Sequence, residues 1–299
     1  MFKASVIILS NEPKKYIEDI LKHLPASFDN IILDTSGDTA YSISIASKYG
    51  ARVVSFPPEK FDHGSSRNFG LSAAKEDIAV FLTQDSIPED GAVERLVKEF
   101  ENNEIAVAYG RQLPTKNATP IATHARLFNY PEVPYIRVYS DRSKFGIKTA
   151  FNSNSFSAYR KKALLSVGGF PEDVILSEDM VAAAKLLKKG FKLTYVSAAC
   201  AYHSHNYSIY KEFQRYFDIG VFHKKEKWII EEFGKAEGEG LKFVLSEVKY
   251  LLKNGFWYLI PLAFLRNLGK YKGYFLGKHY SWFPLFIRKA LSMNKKYWK

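Results

Sequence analysis

Three short segments carry the side chains best suited to chemistry. Thr83-Gln84-Asp85-Ser86 follows the apolar run Ile78–Leu82, Ser177-Glu178-Asp179-Met180 opens a helical pattern, and His203-Ser204-His205 closes a later strand-like run. A carboxylate such as Asp85 suits a hard divalent cation, which in turn binds diphosphate oxygens. His203 adds an imidazole nitrogen that suits Mn²⁺, with His205, two positions on and on the same side of a strand, as its substitute. Asp179 is a candidate general base: with Ser177 as the helix cap it falls in the first turn, where the macrodipole favours a charged carboxylate. Each motif also has a plainer reading. An aspartate at a strand end often caps a turn, an acidic pair often decorates a helix start, and an isolated histidine is usually structural.

A scaffold must bring these segments together. Ala4–Leu9, Asn30–Leu33, Arg52–Phe56, Ile78–Leu82 and Ile105–Gly110 read as short buried strands. Lys15–Leu24, Thr39–Tyr49, Ser65–Ala74 and Ala92–Asn102 read as the helices between them. This alternation predicts an α/β fold with a mostly parallel central sheet covered by helices. Ligands of such sheets sit beyond the carboxyl ends of the strands, where Ser10, Asp34 and Asp85 lie with Arg67 nearby. Leu113–Lys148 contains Pro and Tyr, is weakly periodic, and is expected to be a substrate-facing or poorly ordered loop. Beyond it, Phe151–Tyr159 reads as strand, Arg160–Val167 as a short helix, Glu178–Lys189 as a helix closed by Gly190, and Phe191–Val196 as strand. From Tyr210 the pattern is helical, with an aromatic stripe of Phe213, Phe217 and Phe222.

With 299 residues, 46% of them hydrophobic, the chain can bury a substantial core. Cys200 is the single cysteine, which excludes a disulfide framework and suits a reducing, cytosolic setting. The run Met1–Leu9 is too short for a signal-peptide core, and no stretch reaches the roughly 18 uninterrupted apolar residues of a spanning helix. Charge is unevenly placed. The whole chain carries +12, yet the stretch from Val248 to Lys299 holds nine Lys, two Arg and no acidic residue, with 14 aromatic residues among them. Apolar blocks such as Gly255–Leu265 and Trp282–Lys289 alternate there with Arg266, Lys270, Lys272 and Lys278. Three readings fit this pattern. The favoured one is helices lying on an anionic membrane surface. Single-stranded nucleic acid is the second and is not an expected partner. The third is plain packing, on the catalytic part or on a second subunit in a homodimer.

Taken together, Ser5–Glu12, Ile31–Asp38, the run from Phe61 to Asn68, Phe81–Ser86, the run from Tyr109 to Pro114, Ser177–Met180 and the run from His203 to Tyr207 resemble, in order and spacing, the family 2 glycosyltransferases of GT-A fold, and more narrowly their bacterial rhamnosyltransferase-like members. The resemblance covers roughly residues 3–223. It implies a GT-A catalytic domain over 1–223 and a helical, basic-aromatic C-terminal extension over 224–299. It further implies an inverting, metal-dependent sugar transfer with Mn²⁺ or Mg²⁺. Asp85 corresponds to the end of the family's Asp-x-Asp motif, whose first acid is replaced by Thr83, and His203 to a histidine metal ligand. Asp179, second in the Glu-Asp pair, corresponds to the base that deprotonates the acceptor hydroxyl. Ser10, Glu12, Asp34 and Arg67 join Asp85 as nucleotide contacts; an aspartate at Asp34 accepts the imide N–H of uracil or thymine, and Arg67 pairs with Asp34 or a phosphate. Asn152, Asn154, Glu178 and His63 are expected at the sugar or acceptor, although Asn152-Ser153-Asn154 reads equally well as a turn. Gln214-Arg215 echoes a motif of processive relatives but lacks its Arg-Trp, which argues against a polymerase. The implied donor is dTDP-L-rhamnose. The implied acceptor is a cell-surface polysaccharide or its polyprenyl-diphosphate-linked precursor, met at the inner face of the cell membrane. Alternatives are another UDP- or dTDP-sugar, or a non-enzymatic membrane-binding adaptor. A nucleotidyltransferase fits poorly, since Ser10–Lys15 is not a Gly-rich, Lys-containing loop.

Overall fold

The computed structural model describes residues 3–235 and 238–299; Met1 and Phe2 of the N-terminal run and residues 236–237 of the extension lie outside it. Among the described residues nine strands form one sheet: β1 (Ala4–Ser10), β2 (Asp29–Asp34), β3 (Arg52–Ser55), β4 (Ile78–Thr83), β5 (Ile87–Pro88), β6 (Ile105–Leu113), β7 (Tyr135–Arg137), β8 (Phe156–Arg160) and β9 (Lys192–Tyr202). Their order is β3-β2-β1-β4-β8-β6-β9-β5, with β7 also paired to β9. Strands β1 to β4 run parallel, as do β6 and β9, whereas β8 runs antiparallel to both β4 and β6. The expected α/β architecture is therefore present, with its parallel half carrying the strand ends at Ser10, Asp34 and Thr83.

Alternation along each strand divides the core into two faces. Ile7, Ile31, Leu33, Phe81, Tyr109 and Tyr159 pack on one side with Val181, Ala184 and Leu187 of the helix Glu178–Lys188 and Phe217 of the helix Ile209–Lys225. Val6, Ile8, Ile32, Val80 and Leu82 pack on the other with Ile17 and Ile20 of the helix Pro13–Leu21 and Leu96 of Ala92–Lys98. Strands buried on both faces read as unbroken apolar runs, which is why they stood out in the sequence.

Two expectations are corrected. Leu113–Lys148 is not one loop: it contains the helix Pro120–Asn129, capped by Thr119 Oγ1 accepting from Ala122 N at 3.3 Å, and the strand β7. The buried face of that helix is built from Ile121, Ala122 and His124, so its apolar period is faint. Phe151–Tyr159 is strand only from Phe156; Asn154 and Ser155 form a turn closed by Phe156 N donating to Ser153 O at 3.1 Å, and Asn152 precedes it.

The C-terminal segment packs on the catalytic part along one face. The helix Ile260–Lys278 crosses Ile209–Lys225 so closely that a Cβ on Gly277 would meet Phe217 O at 2.0 Å, and one on Gly273 would meet Phe213 O at 2.3 Å. Further on, Asp218 Oδ2 accepts from the backbone N–H of Met293 (3.0 Å) and Asn294 (3.1 Å), and Trp298 packs against Phe217. Residue 223, the expected domain limit, falls inside the helix Ile209–Lys225. The opposite face leaves Trp257, Tyr258, Phe264, Trp282 and Phe286 exposed. Among the described residues no helix is long and apolar enough to cross a membrane.

Candidate active site

The turn after β4 places Asp85. Gln84 anchors that turn: its backbone N donates to Leu9 O at 3.1 Å, and its Oε1 accepts from Ser10 Oγ, Asn11 N and Glu12 N at 3.1, 2.8 and 2.7 Å. The end of β9 delivers His203 and His205. Asp85 Oδ1 lies 3.5 Å from His203 Nε2, and Oδ2 lies 3.7 Å from His205 Nε2. Ligand atoms of the three residues all fall within 4.8 Å of one another.

The tautomer of His203 follows from its neighbours. Gln112 on β6 turns its carbonyl oxygen to both the Arg126 guanidinium and His203 Nδ1 (2.9 Å), while its amide nitrogen donates to Ser153 Oγ at 2.8 Å. A carbonyl oxygen only accepts, so the His203 proton sits on Nδ1 and the Nε2 lone pair faces Asp85. Burial pushes both imidazoles below the ordinary histidine range, His205 to about 4, so both are neutral at pH 7. A carboxylate and two neutral imidazoles are a donor set for a divalent cation, and the nitrogens suit Mn²⁺ better than Mg²⁺.

Asp179 lies in the first turn of Glu178–Lys188, as the spacing predicts, but Ser177 makes no cap. It sits at φ 64°, ψ 31°, and its side chain makes no capping hydrogen bond. A non-glycine residue in that left-handed region is strained, here directly beside the acidic pair. Asp179 instead accepts from the backbone N–H of Asn154 (3.0 Å) and Met180 (2.8 Å). Burial first, then the Glu178 carboxylate, push it up to about 7. Glu178 goes the other way. Burial opposes its charge, but Arg67 at 3.0 Å, His63 and Asn154 Nδ2 at 3.2 Å hold it below the ordinary carboxylate range. A buried carboxyl and its half-buried neighbour are thus split into a fixed anion and a group that gains and loses a proton near neutrality.

The remaining expected residues fall into two groups. His63, Arg67, Asn152 and Asn154 line the same cavity as Asp85, Glu178, Asp179, His203 and His205, a space of about 560 Å³. Within it Arg67 pairs with Glu178 rather than Asp34, and His63 backs Arg67 through its carbonyl at 3.1 Å. Asn154 Oδ1 accepts from Ser157 Oγ and Tyr159 Oη, both at 2.7 Å, and Asn152 Nδ2 donates to Tyr159 Oη. Ser10, Glu12 and Asp34 are not among the lining residues. Asp34 is fully buried, its oxygens taken by Ser36 N (2.8 Å), Ser36 Oγ (2.6 Å) and Ser42 Oγ.

Sequence reasoning missed several polar residues of the cavity wall. Gln112 lay in a noted segment without a role, and Arg126 lay in the stretch read as a loop. Arg266 and Lys270, expected among the membrane-facing cations, are buried and turned inward: Glu212 Oε2 meets Arg266 Nε at 2.9 Å and Oε1 meets Lys270 Nζ at 3.7 Å. Their spacing of four residues puts them on one helix face, but nothing local marks that face as the buried one.

The profile of glycosyl transferase family 2 matches residues 5–168, more than half of the chain. The O-antigen chain rhamnosyltransferase WbaN of Salmonella anatum is 47% identical over 271 residues, covering 90% of this chain and 85% of its own. The O-antigen chain rhamnosyltransferase RfbN of Salmonella typhimurium is 44% identical over 284 residues, covering 94% and 90%. Among solved structures, the mannosyltransferase PcManGT of Pyrobaculum calidifontis, in complex with GDP-Man and Mn²⁺, aligns with a TM-score of 0.56 at 17% identity over 98% of this chain and 84% of its own. TarS 1–349 of S. aureus, in complex with UDP, gives 0.52 at 15% identity over 94% and 91%. These two speak for the fold alone. The chain belongs to glycosyl transferase family 2 and is a glycosyltransferase of GT-A fold.

Proposed function

We propose that this glycosyltransferase moves L-rhamnose from dTDP-L-rhamnose, with inversion, to a growing O-antigen-type polysaccharide or its polyprenyl-diphosphate-linked precursor. The names of the two Salmonella relatives support the sugar and the polymer. One observation carries the mechanism. Asp179, raised to about 7, and the Asp85–His203–His205 group line one cavity. Asp179 accepts the proton of the acceptor hydroxyl as its oxygen attacks the anomeric carbon, and a carboxylate with a pKa near the working pH is matched to that task. Arg67 keeps Glu178 ionised and in place, and the Glu178 charge in turn raises Asp179. The backbone N–H groups of Asn154 and Met180 aim the Asp179 oxygens. Asp85, His203 and His205 would hold a divalent cation, Mn²⁺ or Mg²⁺, which when bound supplies charge neutralisation for the departing nucleoside diphosphate. Ser10, Glu12 and Asp34, at the neighbouring strand ends, would bound the nucleotide side. The exposed aromatic and basic face of the extension would rest on an anionic membrane surface, where a lipid-linked acceptor resides.

A thermal-shift panel of nucleotide sugars with and without Mn²⁺, followed by a transfer assay, tests this reading. dTDP-L-rhamnose with Mn²⁺ is expected to raise Tm most. A larger shift with another nucleotide sugar, and none with dTDP-L-rhamnose, would overturn the donor.

A further inference from the structure

Two cations on the cavity wall lack the counter-charge that their neighbours have. Arg67 is paired with Glu178, and Arg266 and Lys270 share Glu212. Among the described residues no carboxylate lies within 4.0 Å of Arg126 or Arg215, although both line the cavity. Arg126, on the helix Pro120–Asn129, spends one N–H on Gln112 Oε1 and lies 5.9 Å over the Tyr130 ring. The guanidinium of Arg215, on the helix Ile209–Lys225, makes no hydrogen bond among the described residues. The two are near enough to repel each other, and both act electrostatically on Tyr130, His203 and His205. Like charges gathered in a half-closed cavity are unfavourable unless an anion joins them. Two guanidinium forks beside a group suited to a divalent cation offer more positive charge than one monoanion would neutralise, and guanidinium matches phosphate oxygens bidentately.

We propose that Arg126 and Arg215 form an anion subsite for a diphosphate group. Two sources carry that chemistry: the nucleoside diphosphate of the donor, and a diphosphate joining lipid to acceptor glycan. These identities rest on the transfer reaction proposed above; the anion site itself does not.

The test is calorimetric titration of the protein with inorganic pyrophosphate in EDTA, with melting curves to confirm that each variant folds. Wild type is expected to bind, and Arg215→Gln to weaken binding about tenfold, as for loss of a charge-assisted hydrogen bond. The double variant with Arg126→Gln is expected to weaken it further. Arg215→Gln is the cleaner probe, because Arg126 also touches the glutamine that orients His203. Equal affinity in wild type and double variant, or no binding by wild type at millimolar pyrophosphate, overturns the subsite. Steady-state arms then separate the sources: in Arg215→Gln a raised KM for the nucleotide sugar assigns the donor, a raised KM for a diphosphate-linked acceptor assigns the acceptor, and no change in either overturns the proposal. If Asp179→Asn remains fully active while pyrophosphate binding still depends on Arg215, the proposed mechanism fails and the subsite stands.

Discussion

Asp179 and Glu178 are chemically near-identical neighbours whose surroundings separate them. The Arg67 guanidinium reaches Glu178 at 3.0 Å, and Asp179 is left with burial and the repulsion of its neighbour. As the base, Asp179 should make kcat rise with pH through about 7. Asp179→Asn should lower kcat by about 10²–10⁴-fold while nucleotide-sugar binding, read by thermal shift, survives. Stability should move the opposite way. The folded state holds the Asp179 proton up to about pH 7, whereas the unfolded chain releases it near the ordinary aspartate value of 3.8, so the penalty for charging it grows between those values and is complete above 7. Asp179→Asn is therefore expected to melt higher than wild type at pH 8 and to lose that advantage at pH 4; a lower Tm at pH 8 would contradict the raised pKa. Gln112 is the corresponding positioning residue for the histidines. Gln112→Ala frees the His203 tautomer, and Mn²⁺ affinity, measured calorimetrically, should fall about 10–100-fold.

At the level of elements, the site depends on close crossings that admit no side chain. The helix Ile260–Lys278 carries Arg266 and Lys270 into the cavity because Gly273 and Gly277 let it approach Ile209–Lys225. Gly277→Ala would set a methyl 2.0 Å from Phe217 O, a backbone atom that cannot swing aside. A loss of about 1–3 kcal/mol is expected, read from denaturant unfolding. Gly240→Ala is the control: it lies exposed in the helix Glu239–Lys253 with nothing within 4 Å, so helix propensity alone should make it neutral to about 1 kcal/mol more stable. The helix His63–Ala73 is held similarly. Asp62 Oδ1 accepts from Gly64 N and Ser65 N, both at 2.9 Å, and Gly64 lies against Pro171 O, which sets the line along which Arg67 meets Glu178.

Over the whole molecule, the basic, aromatic extension lies against the same cavity onto which the strand end at Thr83 and Asp85 opens. That extension is two-faced. Arg266 and Lys270 are buried toward the cavity, whereas Trp257, Phe264, Trp282 and Phe286 are exposed, with Lys253, Lys272 and Lys289 also exposed on the same segment. Wild-type protein should co-sediment with vesicles containing anionic lipid, less so at high salt. Trp257→Ser, Phe264→Ser and Phe286→Ser together should abolish the binding without lowering Tm, because none of the three is buried. Vesicle binding unchanged by the triple substitution would remove the membrane from the function.

Much of this was legible from the chain alone. Strands buried on both faces announce themselves as apolar runs, so β1, β2 and β4 could be placed, and with them Asp85; the first-turn position of Asp179 followed from the helical period. Other features have no local signature. Gln112 and Arg126 matter through contacts that bridge β6, the helix Pro120–Asn129 and the end of β9, and a polar side chain carries no mark of which partner it will meet. Basic residues of the extension looked alike in sequence, and packing against Ile209–Lys225 turned Arg266 and Lys270 inward while leaving Lys272 in solvent. The spacing of Glu178 and Asp179 is a property of the sequence. Which of them keeps its charge was decided by the tertiary structure, because a carboxyl pKa is set by the burial and charges around it, and those are assembled by the fold.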